Sequence, residues 1–196
     1  MRIGVLGGTF DPPHEGHLAL ARAAADALNL DEVIFLPTHR NPLKKDAKQT
    51  GAKKRMEMVR LATKNEPAFA VSDIEVERKG LSYAVDTMRQ LQMVRPGDYW
   101  FILGADALKD FKKWKQPEKL LKLARLAVAV RPPETFQDAI SRIPEQFRAR
   151  IDAVPMPPVE ISSTEIRERI SGKRPVSQWV PRDVLQYIEE NRLYRS

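Results

Sequence analysis

The sequence predicts an α/β fold, with a doubly wound parallel sheet followed by C-terminal helices. The chain has 196 residues, of which 42% are hydrophobic and 30% are charged, enough to bury the core of a globular domain. Short apolar runs alternate along it with segments of helical periodicity, which is the pattern of repeated βαβ units. One run, DYWFILG at residues 98–104, is apolar along most of its length, as expected for a strand covered on both faces. We therefore expect a single domain over residues 1–196, with a C-terminal helical part at about 160–196.

The N-terminal half alternates three predicted strands with three predicted helices. In the first helix, Leu18, Ala21, Ala25 and Leu28 recur at the spacing of one helical face. Ser82 is a typical N-cap residue for the third helix. In chain order the predicted elements are strand 2–7, helix 17–30, strand 32–37, helix 53–65, strand 69–77 and helix 83–94.

The C-terminal half continues the alternation. Its predicted elements are strand 98–104, helix 117–124, strand 125–130, a helical region at about 135–150, strand 151–156 and two terminal helices. Parallel strands share one carboxyl edge, and ligands bind there, near the point where the strand order reverses. The loops expected to converge on one cleft at that edge are residues 7–17, 37–45, 104–114 and 160–167.

Composition and charge exclude several classes of protein. There is no cysteine, so the chain has neither a disulfide framework nor thiolate chemistry. No apolar run approaches the roughly 20 residues that span a bilayer, and glycines interrupt the first run too early for a secretory signal. We expect a cytoplasmic protein with no membrane partner. The net charge of +7 suits a protein that handles polyanions, such as nucleic acid, phospholipid surfaces or small phosphorylated molecules.

The segment GGTFDPPHEGH, residues 7–17, has the composition of a phosphate site. Two glycines after a buried strand allow a tight turn and a close approach to a ligand. The next helix begins near residues 14–16, so its N–H groups and positive dipole end face the same space. His14 and His17 can donate hydrogen bonds to phosphate oxygens. The alternative is that His14 only starts the helix and His17 is a satisfied, partly buried histidine.

Three better-known motifs do not match. GVLGGTF does not fit the G-x-G-x-x-G dinucleotide pattern, and Gly172 and Lys173 are followed by Arg174, where a P-loop has Ser or Thr. The histidines of HEGH are spaced i, i+3, whereas a helical zinc motif needs i, i+4 and a third ligand. The sequence therefore predicts no metal ligands.

Two further segments carry groups suited to a nucleotide. In ISSTEIR, residues 161–167, Ser162 and Glu165 form a capping-box pattern, which marks a helix N-terminus able to bind phosphate, and Arg167 adds charge. The alternative is an ordinary helix cap.

In LGAD, Gly104 follows a buried strand, and the Asp106 carboxylate suits ribose hydroxyls, a hydrated magnesium ion or the cap of the next helix.

These segments carry a resemblance to a known family. GGTFDPPHEGH resembles the first signature of the HxGH nucleotidyltransferase superfamily, and ISSTEIR resembles its second. Over essentially the whole chain, RMEMVRLA, LSYAVDTM and FILGADAL followed by Trp114 are similar to bacterial nicotinate-nucleotide adenylyltransferases. The resemblance implies a Rossmann-like nucleotidyltransferase fold and AMP transfer from ATP to nicotinate mononucleotide. The products would be deamido-NAD and pyrophosphate, in NAD biosynthesis, and Mg²⁺ would be carried by ATP without a dedicated protein site.

The resemblance also implies roles for individual residues. The predicted catalytic residues are His14, His17, Lys44 and Arg167. The predicted ATP-binding residues are Gly8, Thr9, Phe10, His17, Gly104, Asp106, Ile161, Ser162, Ser163 and Thr164. The predicted substrate-binding residues are Lys44, Ser82, Tyr83, Asp106 and Trp114, with Trp114 as the platform for the nicotinate ring. Ala84 and Leu43 depart from the family pattern, where many relatives have Thr and His.

Alternative functions remain at this point. Within the superfamily, the acceptor could be nicotinamide mononucleotide or phosphopantetheine, although the segment around Ser82 and Trp114 fits phosphopantetheine poorly. A basic nucleic-acid-binding module would also explain the charge, but the basic clusters lack a recognition motif or stacking aromatics. We therefore expect ATP and nicotinate mononucleotide as partners and no nucleic acid. The sequence is compatible with a homo-oligomer.

Overall fold

Six parallel strands form one sheet in the order β3-β2-β1-β4-β5-β6. The structure, a computed structural model, describes residues 1–42, 49–130, 135–156, 159 and 161–195. The predicted fold class is confirmed, because helices flank this parallel sheet. The strands are β1 Arg2–Gly8, β2 Glu32–Pro37, β3 Phe69–Val71, β4 Asp98–Gly104, β5 Arg125–Val130 and β6 Ile151–Pro155.

Helices connect the strands and follow the last one. Those in the described part of the chain are α1 Glu15–Leu28, α2 Ala52–Thr63, α3 Ile74–Arg78, α4 Ala84–Val94, α5 Ala105–Lys109, α6 Pro117–Leu123, α7 Phe136–Ser141, α8 Glu145–Arg148, α9 Ser163–Ser171 and α10 Arg182–Glu190, with a 3₁₀ helix at Phe111–Lys113. Within the described ranges, no helix has the length and apolar character needed to cross a bilayer.

The sheet separates two hydrophobic cores. Successive strand side chains point to opposite faces, so Tyr99 and Phe101 of β4 belong to one core while Trp100 and Ile102 belong to the other. Helices α4, α6 and α7 supply the first core, and α1, α2, α9 and α10 supply the second. The uninterrupted apolar pattern of β4 follows from this two-sided burial.

The strand order reverses between β1 and β4. Leu6 of β1 is in register with Phe35 of β2 on one side and with Ile102 of β4 on the other. Because the connections from these two strands leave in opposite directions, a crevice opens beyond their carboxyl ends. The loops after β1 and β4 border that crevice, as the sequence predicts.

Two local predictions in the N-terminal half are wrong. The strand predicted at 69–77 ends at Val71, and residues 74–78 form the short helix α3. In this helix Glu75 is buried and accepts a hydrogen bond from Thr87 at 2.6 Å. Ser82 does not cap α4, because the N-cap is Tyr83 and the Ser82 hydroxyl instead accepts the His39 N–H at 3.0 Å.

A half-buried polar contact joins the last three strands near their amino ends. The Asp152 carboxylate accepts from Trp100 Nε1 at 2.8 Å and from Arg125 Nε and Nη2 at 2.6 and 2.8 Å. Burial acts to raise the pKa of Asp152, but the hydrogen bonds from Arg125 and Trp100 outweigh it and the pKa is lowered. The charged carboxylate is therefore the form that the fold stabilises.

Asp152→Asn should lower the free energy of unfolding by about 2 kcal/mol at neutral pH, because it weakens charge-assisted hydrogen bonds. A lowered carboxyl pKa stabilises the fold above the unfolded-state value of about 3.9, and this contribution is lost as the pH falls through the folded-state value. The difference between variant and parent should therefore shrink below about pH 4. Urea unfolding across this range measures it. Asp110→Asn, at an exposed ion pair with Lys113, is the control and should change little.

Candidate active site

The β1–α1 turn, defined here as residues 9–14, lies at the carboxyl end of β1. Phe10 is buried with φ at +50°, a left-handed conformation that a bulky residue adopts only when its surroundings hold it there. Its ring meets the His17 ring edge-on at 4.9 Å and packs on Phe35. The side chain of Phe10 thus fixes the turn to the core of the sheet.

The two histidines of the HEGH motif are stacked on the first turn of α1. His14 is the N-cap residue and is 6% exposed, and the centroids of the His14 and His17 rings are 3.8 Å apart. The His14 backbone N–H donates to His17 Nδ1 at 3.2 Å. Since Nδ1 is the acceptor, the neutral His17 ring carries its proton on Nε2. The prediction that α1 begins near residues 14–16 is confirmed.

One donor at the start of α1 is already used. The Glu15 N–H donates to the Trp179 carbonyl at 2.8 Å. The expectation that the first N–H groups of α1 face a ligand is therefore wrong for Glu15. The imidazoles, rather than this amide, are the donors that the turn presents.

Arg55 of α2 holds three loop segments together and is only 1% exposed. Its guanidinium donates to four backbone carbonyls, namely Thr9 O at 2.6 Å, Thr38 O at 2.7 Å, His39 O at 3.1 Å and Thr50 O at 2.7 Å. Burial lowers the pKa of Arg55, and the nearby Asp11 charge opposes this. The guanidinium thus links the β1–α1 turn to residues 38–39 and to the segment before α2.

The Asp11 carboxylate is the polar centre of the turn and is 3% exposed. Its Oδ1 accepts from the Tyr194 hydroxyl at 2.5 Å, and its Oδ2 accepts from the Thr50 N–H at 3.0 Å. Burial and the Asp11 charge raise the pKa of Tyr194. The phenol therefore stays protonated and acts as the donor.

The ISSTEIR segment packs directly against this turn. Ser163 Oγ donates to Pro12 O at 2.9 Å, and Arg167 Nη1 donates to Asp11 O at 2.8 Å. Two motifs more than 140 residues apart in the sequence therefore form one site.

The predicted capping box is half formed. Ser162 Oγ accepts the Glu165 N–H at 3.1 Å, as predicted. The Glu165 carboxylate, however, binds Arg169 Nε at 2.9 Å and Nη2 at 2.8 Å. The ion pair within α9 takes the place of the reciprocal capping bond.

The carboxyl end of β4 forms the opposite wall of the crevice. Gly104 is the N-cap of α5, so Asp106 is not the cap. A Cβ at Gly104 would meet nothing within 4 Å, which leaves its backbone open to a ligand. The Asp106 side chain is 86% exposed and pairs with Lys109 at 2.5 Å.

The predicted acceptor residues lie on the face of the sheet covered by α4. Trp114 is half-buried against Phe101 and Phe111, with ring centroids 5.7 and 5.5 Å away. Its Nε1 is buried and has no hydrogen-bond partner among the described residues. Lys115 extends over the Tyr83 ring at 4.6 Å, so the chain after Trp114 lies against Tyr83.

Ser82 is buried below this surface. Its hydroxyl accepts the His39 N–H at 3.0 Å. Burial raises the pKa of Glu75, and the hydrogen bond from Thr87 opposes the shift. The Ser82 side chain therefore supports the loop from below.

Several other predicted residues have structural roles or lie outside the described part. The Thr9 carbonyl accepts from Arg55, and a Cβ at Gly8 would lie 2.9 Å from the Phe10 ring. Ile161 is buried in the second core, whereas Thr164 is exposed. Lys44 and Leu43 lie outside the described residues.

Asp11, Arg55 and Tyr194 were not among the site residues predicted from the sequence. Asp11 lies inside the GGTFDPPHEGH motif, but the prolines that follow it indicate only a turn. Arg55 begins RMEMVRLA, where it is one of several basic residues on α2. Tyr194 follows α10 and has no local pattern, so only the three-dimensional contact reveals it.

The described residues contain no group of three or more His, Asp or Glu side chains arranged to hold a metal ion. One carboxylate, Asp106, is exposed beside the crevice. A single exposed carboxylate suits a hydrated Mg²⁺ that is held mainly by substrate phosphates.

Comparison with known sequences identifies close relatives. The cytidylyltransferase-like family matches residues 5–169. A relative from Exiguobacterium sibiricum, named a probable nicotinate-nucleotide adenylyltransferase, is 44% identical over 195 residues and 99% of each chain. Another with that name, from Leifsonia xyli subsp. xyli, is 43% identical over 196 residues, covering 100% of this chain and 94% of the relative.

Solved structures share the fold at low sequence identity. The Plasmodium falciparum nicotinic acid mononucleotide adenylyltransferase complexed with NaAD has a TM-score of 0.81 at 18% identity, covering 98% of this chain and 97% of that chain. The same enzyme complexed with APC has a TM-score of 0.78 at 18% identity, covering 98% and 96%.

Arg55→Met should lower the free energy of unfolding by about 3 kcal/mol, because it removes the four hydrogen bonds that the buried guanidinium donates. Arg55→Lys should also destabilise the fold, since an ammonium lacks the planar fork of donors. Urea unfolding measures both effects. Arg60→Met is the matched control on the same helix, where the side chain is 49% exposed, and it should change stability by no more than about 0.5 kcal/mol. Equal stability of the Arg55→Met and Arg60→Met variants would contradict the role given to Arg55.

Proposed function

Because this chain belongs to the nicotinate-nucleotide adenylyltransferases of the cytidylyltransferase-like family, we propose that it transfers AMP from ATP to the 5′-phosphate of nicotinate mononucleotide. The products are deamido-NAD and pyrophosphate, in NAD biosynthesis. The observation that carries the proposal is the contact of the GGTFDPPHEGH and ISSTEIR segments beyond the sheet, through Ser163 and Pro12 O and through Arg167 and Asp11 O.

The reaction is a direct substitution at the α-phosphorus of ATP. A 5′-phosphate oxygen of the mononucleotide attacks in line, a new P–O bond forms, and the bond to the bridging oxygen of pyrophosphate breaks. Both substrates already carry their reacting groups, so no covalent enzyme intermediate is needed. Catalysis therefore rests on positioning and on stabilising charge.

The imidazoles of His14 and His17 would bind the triphosphate. Nε2 of neutral His17 carries a proton, because Nδ1 accepts the His14 N–H. That N–H can donate to a phosphate oxygen as negative charge develops there in the transition state. Arg167, already held at the turn by Asp11 O, and Lys44 would neutralise the remaining phosphate charge.

The rest of the ATP would lie between the ends of β1 and β4 and the start of α9. Gly8, Thr9 and Phe10 would contribute backbone contacts near the reacting phosphate. The open backbone at Gly104 suits the close approach of a nucleotide. Asp106 would accept from ribose hydroxyls, and residues 161–164 would contact phosphates through the α9 N-terminus.

The nicotinate ring would stack on Trp114. The half-buried Trp114 ring and the Tyr83 ring, which the Lys115 ammonium covers at 4.6 Å, give this surface aromatic character. Since the Ser82 hydroxyl and backbone N–H already bond the protein, the Tyr83 N–H is the better candidate to meet the pyridine carboxylate. Ala84 supplies no hydroxyl where many relatives have Thr.

Mg²⁺ would enter with ATP and would be held mainly by the triphosphate, with Asp106 reaching either its hydration shell or the ribose hydroxyls. When bound, the ion neutralises charge on the triphosphate. The remaining cationic and hydrogen-bonding groups belong to the protein, through the histidines, Arg167 and Lys44.

Pyrophosphate release should depend on the acceptor that is offered. With ATP and Mg²⁺, we expect strong release with nicotinate mononucleotide and weak release with nicotinamide mononucleotide or phosphopantetheine, because a carboxylate site leaves polar groups unmatched by the amide. A preference for the amide would overturn the acceptor but retain the transferase. No release with any acceptor, together with a salt-sensitive shift of nucleic acid in a gel, would favour a binding protein instead.

His17→Ala should lower kcat at least about tenfold, which corresponds to about 1.4 kcal/mol of transition-state stabilisation. Steady-state pyrophosphate release under saturating substrates measures it. His39→Ala is the control, because that imidazole contacts the Gly80 carbonyl rather than the β1–α1 turn, and its kcat should stay within about twofold. A smaller loss for His17→Ala would show that His17 does not stabilise the transition state.

A further inference from the structure

We propose that Tyr194 is a positioning residue for the reaction, which fixes the Asp11 carboxylate and through it the turn that carries His14. This role rests on the proposed function, and it gives the segment after α10 a part in positioning the catalytic groups. Tyr194 acts through Asp11, so it need not touch substrate.

The contact is specific and buried. The Tyr194 hydroxyl donates to Asp11 Oδ1 at 2.5 Å across 183 residues of sequence. Asp11 is 3% exposed, so water cannot readily replace the phenol as a donor. A buried carboxylate oxygen without a donor costs more free energy than the net gain from an ordinary hydrogen bond. The turn therefore depends on this hydroxyl in a way that an exposed turn would not.

Asp11 also makes hydrogen bonds to two other segments of the site. Its Oδ2 holds the Thr50 N–H, and Thr50 O in turn accepts from Arg55. Its own carbonyl accepts from Arg167, a residue predicted to neutralise phosphate. Asp11 thus connects the turn before His14 with the segment preceding α2 and with α9.

Two residues after α10 have left-handed backbone conformations, which place the Tyr194 side chain next to Asp11. Arg192 has φ at +50° and Tyr194 has φ at +61°, both in the left-handed region that non-glycine residues rarely occupy. The Leu193 N–H donates to the Ile188 carbonyl at 2.9 Å, which folds this segment back over the end of α10. Such conformations persist where surrounding contacts hold them, and the Tyr194 hydrogen bond is one of these contacts.

The test compares Tyr194→Phe with Tyr187→Phe. Each change removes one hydroxyl, but the Tyr187 hydroxyl makes no hydrogen bond within the described residues, which makes it a matched control. We expect Tyr194→Phe to lower kcat about tenfold while KM for ATP changes less than about threefold, because misplaced catalytic groups reduce the rate more than ground-state binding. Tyr187→Phe should behave like the parent. Equal kcat for the two variants would overturn the proposal.

A double variant separates positioning from general stability. If Tyr194 acts through Asp11, then adding Tyr194→Phe to Asp11→Asn should lower kcat less than about twofold further. If the two losses multiply instead, Tyr194 acts by another route and the proposal fails.

Hydrogen exchange gives a readout that does not depend on activity. In Tyr194→Phe, the amides of residues 9–18 should exchange faster than in Tyr187→Phe, while the amides of β4 stay protected. Unchanged exchange at residues 9–18 would overturn the positioning role. Absence of pyrophosphate release by the parent, with faster exchange in Tyr194→Phe, would instead count against the proposed function alone.

Discussion

A single buried guanidinium joins the segments that surround the candidate site. Arg55 is buried and reaches four backbone carbonyls from three different stretches of chain. Burying an arginine is unfavourable unless its donors are satisfied, and the lowered pKa of Arg55 reflects that burial. The Arg55 guanidinium carries five N–H groups in a planar fork. It can therefore reach carbonyls on three segments that a smaller side chain could not reach together. The loops that follow β1 and β2 therefore take their positions relative to α2, which is itself fixed by the second core.

The sheet explains why these loops matter for chemistry. β1 and β4 are neighbours although the chain between them forms β2 and β3, so the glycine-rich turn and the Gly104 loop face each other across the crevice. Residues from the far end of the chain complete the same place, since α9 contributes Ser163 and Arg167. The site is thus assembled from segments that the sequence separates widely. The sheet supplies the alignment, and side chains donating to backbone carbonyls supply the local precision.

The sequence predicted several strands and both signature motifs well, because a strand that is buried in the sheet requires a run of apolar residues in the sequence. The bounds of β2, β4 and β5 agree with the apolar runs, and both signature motifs were located. Two predictions were wrong because the same sequence pattern fits two different structures. In DIEVE, alternating apolar and acidic residues suggest a strand, but Glu75 is buried and bound to Thr87, so the alternation belongs to a short helix. Ser82 looks like a cap, yet its hydroxyl serves the His39 N–H. Contacts of Asp11 and Arg55 could not be predicted, because a bond to a distant carbonyl or hydroxyl imposes no spacing on the sequence.

The distance in sequence between Asp11 and Tyr194 also bears on how the molecule is made. Translation delivers the glycine-rich turn first and the phenol that completes it 183 residues later. Closing so long a loop is entropically unfavourable until the intervening sheet has formed, and contacts of this range form late in folding. A nascent chain could build β1, β2 and their helices on the ribosome while Asp11 still lacks its buried partner. The turn would then reach its final packing only after Tyr194 has been synthesised and has met Asp11.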